Sequence, residues 1–91
     1  MEFEYDPAKS KMNEAKHGID FESATALWAD RRGIEIPSRY EGEPRFVRIA
    51  KIESKLWVAI FTYRKTNIRI ISVRRGREKE ELLYEESTED R

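Results

Sequence analysis

Ninety-one residues with 18 Lys/Arg, 18 Asp/Glu and no cysteine make one domain, 1–91, and exclude disulfides, thiolate metal sites and a second active domain. Charged residues form 40% of the chain, against roughly a quarter in an ordinary domain, yet an apolar share of 38%, clustered rather than scattered, suffices for a thin core. The acidic opening "MEFEYDPAK" is no signal peptide and the longest apolar run, 58–61, cannot cross a bilayer, so a cytoplasmic protein without membrane contact is expected.

Phe3-Glu4-Tyr5 alternates and predicts a short first strand. Asp6-Pro7 opens a helix: Asp6 can cap free N–H groups, and Pro7 at the first helical position gives up a donor that had no partner anyway. The helix runs through "AKSKMNEAKH", with Ala8, Met12 and Ala15 or the Lys16 stem as one side, and Gly18 stops it as a left-handed cap. Asp20 begins a second helix, "FESATALW", whose Phe21, Ala24, Leu27 and Trp28 form one apolar stripe. After Asp30 the period becomes that of a strand. Ile34 and Ile36 predict an edge strand stopped by Pro37, and "PSRYEGEP" a polar loop. Residues 45–52, 56–64 and 67–75 predict three consecutive strands joined by the hairpin-length loops "ESK" and "KTN". "REKEELLYEES" predicts a closing helix held by Leu82 and Leu83. The order β-α-α-β-β-β-β-α implies an α+β fold, an antiparallel sheet with helices mainly on one face.

The zero net charge hides a segregation. Residues 1–30 hold three Lys/Arg and seven Asp/Glu, 31–76 hold twelve and four, and 77–91 hold three and seven. A basic block of +8 between ends of −4 each points to a nucleic-acid partner that the total conceals. Its sharpest form is "NIRIISVRRG", a strand with Arg69, Arg74 and Arg75 among its isoleucines. A sheet covered on one side leaves a second face for such arginines. With "KTN" as a three-residue loop, Thr62, Arg64, Ile70, Ser72 and Arg74 share one face, and Phe61, Tyr63, Arg69, Ile71 and Val73 the other.

The motifs "FEYDPAK", "NEAKHGIDFESA", Glu43-x-Arg45, Thr62-Tyr63-Arg64, "IRIISVRRG" and Glu80 with Tyr84 occur in this order over nearly the whole chain. Together they resemble the BrnT toxins of type II toxin–antitoxin systems, a family related in fold to the RelE toxins. The resemblance implies a RelE-like fold and a metal-independent endoribonuclease that inhibits translation. It implies neutralisation by a BrnA-type antitoxin, two chains of each, with DNA contacted only through the antitoxin. It implies RNA, free or on the ribosome, as the substrate, and neither cofactor nor metal.

Cutting RNA without a metal needs a base for the ribose 2′-OH, cations for the phosphate and an acid for the leaving 5′-oxygen. Arg74, at a strand end, is the first candidate for the phosphate clamp, with Arg64 ending the neighbouring strand in a similar role and Arg69 as a further contact. Each is otherwise an arginine on a solvated face. Arg75 and Arg77 suit general attraction. His17, the one histidine, is base or acid, or else a helix-end residue favoured by the dipole. Lys9 reaches a phosphate or is simply solvated. Tyr84 is acid, base or stacking platform, or packs beside Leu83, and Glu80 orients Arg74 or Tyr84. Ser72 hydrogen-bonds substrate without serving as nucleophile. Glu43 and Arg45 suit an ion pair, and Trp28 and Trp57 suit the core. A different class remains open beside the ribonuclease: a non-catalytic basic module that binds RNA or a partner, including an inactive toxin that only binds its antitoxin.

Overall fold

A computed structural model describes residues 2–38 and 41–89. Among these, five strands form one sheet in the order β1-β5-β4-β3-β2: β1 (Phe3–Glu4), β2 (Ile34–Ser38), β3 (Arg45–Ile52), β4 (Lys55–Arg64) and β5 (Asn67–Arg75). β2 to β5 form the expected antiparallel run, whereas β1 joins β5 in parallel, Phe3 opposite Ile68, so the sheet is mixed. Pro37 does not stop β2, which continues to Ser38. Of the predicted loop that follows, Arg39 and Tyr40 lie outside the described residues.

The helix signals act as read. Asp6 accepts the Ala8 N–H at 2.9 Å, α1 spans Pro7–His17, and Gly18 closes it at φ 82 with its N–H on Glu14 O. Asp20 accepts the Ser23 N–H at 2.7 Å to start α2 (Phe21–Ala24). The predicted second helix is split, because α2 tightens after four residues into a 3-10 helix, Thr25–Ala29. α3 (Glu78–Glu89) closes the described chain.

The sheet divides the interior in two. On one face Phe21, Ala24 and Leu27 pack on Trp57, Ala59, Phe61, Ile70 and Val73, with Trp28 edge-on to Phe61 at 5.1 Å between ring centres. On the other, Ile49, Leu56 and Val58 meet Tyr84 of α3. Helices thus gather mainly on one face, and α3 alone covers part of the second. It does so through Tyr84, 6% exposed, and not through the expected leucines: Leu82 and Leu83 are 54% and 42% exposed.

α1 also turns the opposite side inward. Ser10 and Asn13 are its buried residues, while Met12 is 70% exposed and Ala8 and Ala15 face solvent. Backbone groups that lack a partner explain this reversal. β1 is only two residues long, so beyond it the outer edge of β5 has no neighbouring strand. Asn13 fills the gap, donating to Val73 O at 2.9 Å and accepting the Val73 N–H at 3.1 Å, with a further donation to Ile19 O at 2.9 Å. Ser10 Oγ accepts the Phe21 N–H at 2.8 Å. Leaving such groups unpaired in the interior costs about 1–3 kcal/mol each, more than burying one methionine contributes at a rim.

A candidate nucleic-acid interface along β5

Register decides which candidates meet. The β4–β5 turn is Lys65–Thr66, with Lys65 at φ 58, and a bulge leaves Ile71 as an extra residue between Ile70, opposite Phe61, and Ser72, opposite Ile60. The turn and the bulge together change the expected faces. Arg69, opposite Thr62, joins Thr62, Arg64, Ser72 and Arg74 on the α3 side, while Ile70 joins Phe61, Tyr63 and Val73 on the other.

Three groups of candidates result. Lys9 and His17 of α1 and Ser72 of β5 line one open groove of about 580 Å³ between helix and strand, together with Lys16. No carboxylate is among its lining residues. The structure gives the side chains of Lys9, Lys16, His17 and Ser72, all lining residues, no hydrogen bond or ion pair to a described residue. Asn13 also lines it, but its amide is fully engaged by the three bonds above.

The second group adjoins the first. Arg74 lies two residues beyond Ser72, about 7 Å along the strand. Its Nη1 and Nη2 grip the Glu80 carboxylate at 3.0 and 3.1 Å, and Nη1 also donates to Arg75 O at 3.1 Å. Arg77 N–H donates to Glu80 Oε1 at 2.7 Å, fixing the first turn of α3. The Arg74 bonds lower the Glu80 carboxyl from its ordinary value against the opposing push of burial, and the Arg77 N–H adds to them. The other edge of the guanidinium, Nε–H with the second N–H of Nη2, has no partner among the described residues. A planar fork with one edge held and one open has the geometry to receive an anion.

One turn further along α3, Tyr84 donates its hydroxyl to Asp30 Oδ2 at 2.7 Å. The same carboxylate accepts the Lys51 N–H at 2.9 Å and the Arg32 N–H at 3.0 Å. Burial pushes the Asp30 carboxyl up, but the bonds from Lys51, Tyr84 and Arg32 and the Arg48 charge outweigh it, and the net shift is downward. Lys51 Nζ sits 5.2 Å from the Tyr84 ring centre. Tyr84 therefore ties α3 to the end of the 3-10 helix.

The third group stands apart. Arg64 pairs with Glu43 at 3.3 Å, where Glu43 had been expected to meet Arg45, and Arg69 pairs with Glu4 at 3.6 Å. Val58 lies opposite Arg74, so Arg64 is six residues away along β4, about 20 Å. Arg64 and Arg74 do not converge. Sequence reasoning also missed Arg48, whose Nε and Nη2 donate to Leu27 O and Asp30 O at 3.0 and 2.9 Å beneath a stack on Trp28. Nothing in its alternating strand marked it as internal.

A five-stranded α+β domain that lines a groove with cations and no acids, beside an oriented arginine, offers the features of a site for a polyanion. The family model of the ribonuclease toxin BrnT of type II toxin–antitoxin systems matches residues 5–80, and the chain belongs to that family. RNA as substrate and an antitoxin as partner come with membership. No curated protein matches the chain. Among the described residues no helix is long and apolar enough to cross a membrane, and no three of His, Cys, Asp and Glu are grouped to hold a metal ion.

Proposed function

We propose that this chain is a metal-independent endoribonuclease whose centre lies where α1 meets the outer edge of β5. One observation carries the reading: Lys9 and His17 of α1 and Ser72 of β5 line one groove, next to Arg74 on the same strand. In the reaction the ribose 2′-oxygen attacks phosphorus, the P–O5′ bond breaks, and a 2′,3′-cyclic phosphate forms. His17 takes the 2′-OH proton or delivers one to the 5′-oxygen. Arg74 holds the phosphate oxygens with its open edge as charge develops there, and Lys9 and Ser72 position the strand. Use of the 2′-OH restricts the substrate to RNA.

Glu80 and Tyr84 enter as positioning residues, Glu80 by fixing the Arg74 fork and Tyr84 by holding α3 in place. Arg64 and Arg69, remote from Arg74 along the sheet, attract and guide RNA. The partner in this reading is a BrnA-type antitoxin, two chains bound by two toxins, which covers the same cations and alone touches DNA.

A specific observation also favours a binding module without catalysis. Each arginine of β5 is engaged inside the fold, Arg69 by Glu4, Arg74 by Glu80 and Arg75 by a stack on Trp57 at 5.3 Å. Incubation of the purified chain with total RNA in EDTA separates the two. Cleavage that persists in EDTA and disappears in His17→Ala and Arg74→Ala supports the ribonuclease. RNA binding without cleavage, with or without ribosomes, leaves only the module.

A further inference from the structure

The reversal of α1 places apolar side chains where a soluble helix ordinarily shows charge. Lys9, Met12 and Lys16 follow the spacing i, i+3, i+7 and so form one stripe, with the thioether between two ammonium groups about 10 Å apart along the axis. Ile71, the residue that the β-bulge adds to β5, and the buried Phe21 also line the groove. Ser72 and His17 are the polar groups at hand that hold no partner among the described residues. The groove is open to solvent, and its volume of about 580 Å³ is room enough for one planar ring.

We propose that this groove is a nucleobase subsite of the ribonuclease centre, receiving one unpaired base of single-stranded RNA. The inference rests on the ribonuclease reading and adds to it how the strand is seated. The base lies flat between Met12 and Ile71, where a polarizable thioether suits an aromatic face. Its polar edge meets the Ser72 hydroxyl, the His17 ring stays with the ribose and the reacting oxygens, and the phosphates before and after it meet Lys9 and Lys16. A base requires phosphates on both sides of its ring, and the stripe sets a cation on both sides of Met12. Double-stranded RNA is excluded, since a paired base cannot enter.

The test uses a short single-stranded RNA made uncleavable by 2′-O-methyl groups, its abasic counterpart, and fluorescence anisotropy in EDTA. Wild-type protein is expected to prefer the intact strand by about tenfold, the factor that stacking of one base supports. Met12→Ser, at a 70% exposed position where folding is not at stake, is expected to erase that preference while leaving affinity for the abasic strand unchanged. Ser72→Ala is expected to change which base is preferred more than how tightly the strand binds. Equal binding of intact and abasic strands by wild type overturns the subsite and leaves cleavage of natural RNA, measured separately, untouched. A preference that survives Met12→Ser overturns it as well. Met12→Ser that spares RNA but abolishes capture of the antitoxin assigns the groove to an acidic peptide instead. No RNA binding by wild type overturns the subsite as well, and the ribonuclease reading is then decided by the separate cleavage of natural RNA.

Discussion

Asn13 and Val73 exchange two hydrogen bonds across 60 residues of sequence, a side-chain carboxamide occupying the position of a missing strand. Asn13→Leu strands the N–H and C=O of Val73 and the carbonyl of Ile19 in the interior. A loss of about 3–4 kcal/mol is expected, near the upper end for one substitution. Asn13→Asp keeps the acceptor but loses both donors, and is expected to be at least as damaging near neutral pH. Urea unfolding with an unchanged m-value measures either. A loss under 1 kcal/mol would mean that β5 finds another partner at its edge.

Arg74 and Glu80 make the second testable pair. With side chains 28% and 17% exposed, the bidentate bond is sheltered enough to matter, and Glu80→Gln is expected to cost about 1–2 kcal/mol. In the proposed mechanism its effect on cleavage is larger than on stability, because an unheld guanidinium loses its aim. Arg74→Lys removes the fork altogether, and a fall in cleavage of about 10²-fold or more is expected at unchanged fold. If Glu80→Gln cleaves RNA faster than wild type, Glu80 blocks Arg74 and does not orient it.

The fate of α3 in acid follows from two lowered carboxyl groups. Asp30 and Glu80 both titrate below their ordinary values in the folded protein. Their stabilisation is therefore complete above the ordinary carboxylate range, about pH 4, and disappears as pH falls through the lowered folded values. Since Asp30 holds Tyr84 and Glu80 holds Arg74, α3 should detach before the sheet melts. Near-ultraviolet dichroism at falling pH, beside Tyr84→Phe, follows this. A variant with wild-type acid sensitivity would exclude the tyrosine tie as its cause.

How far the sequence reveals all this depends on which force acts. Caps and strands were legible because Asp6, Gly18 and Asp20 act through their own neighbours, and the branched runs of β3 to β5 alternate visibly. The inward side of α1 was not, because Ser10 and Asn13 are buried to satisfy backbone groups distant in sequence, which no periodicity records. The two-residue turn and the bulge at Ile71 were equally hidden, and together they put Arg69 on the face of Ser72 and Arg74. Of the candidate site, Lys9, His17 and Ser72 do meet in a groove. Arg64 does not join Arg74, because opposite ends of a ten-residue strand look adjacent only when two strand ends are read as one place.

The same distinction separates two kinds of basic residue, and salt dependence can tell them apart. Arg48 carries charge in the sequence but serves the fold, holding the carbonyls of Leu27 and Asp30. Lys9 and Lys16 carry charge into an open groove. Each phosphate neutralised on a single strand contributes about 0.7 to the slope of log affinity against log salt. Lys9→Ala and Lys16→Ala are each expected to lower the slope by about that much with little loss of stability. Arg48→Lys keeps the charge but cannot reproduce the fork and the stack on Trp28 together. It is expected to cost about 1–2 kcal/mol and to leave the slope unchanged. The slopes come from anisotropy titrations of an uncleavable RNA at several salt concentrations. Lysine variants with the wild-type slope would place the RNA elsewhere, on the Arg64–Arg69 end of the sheet.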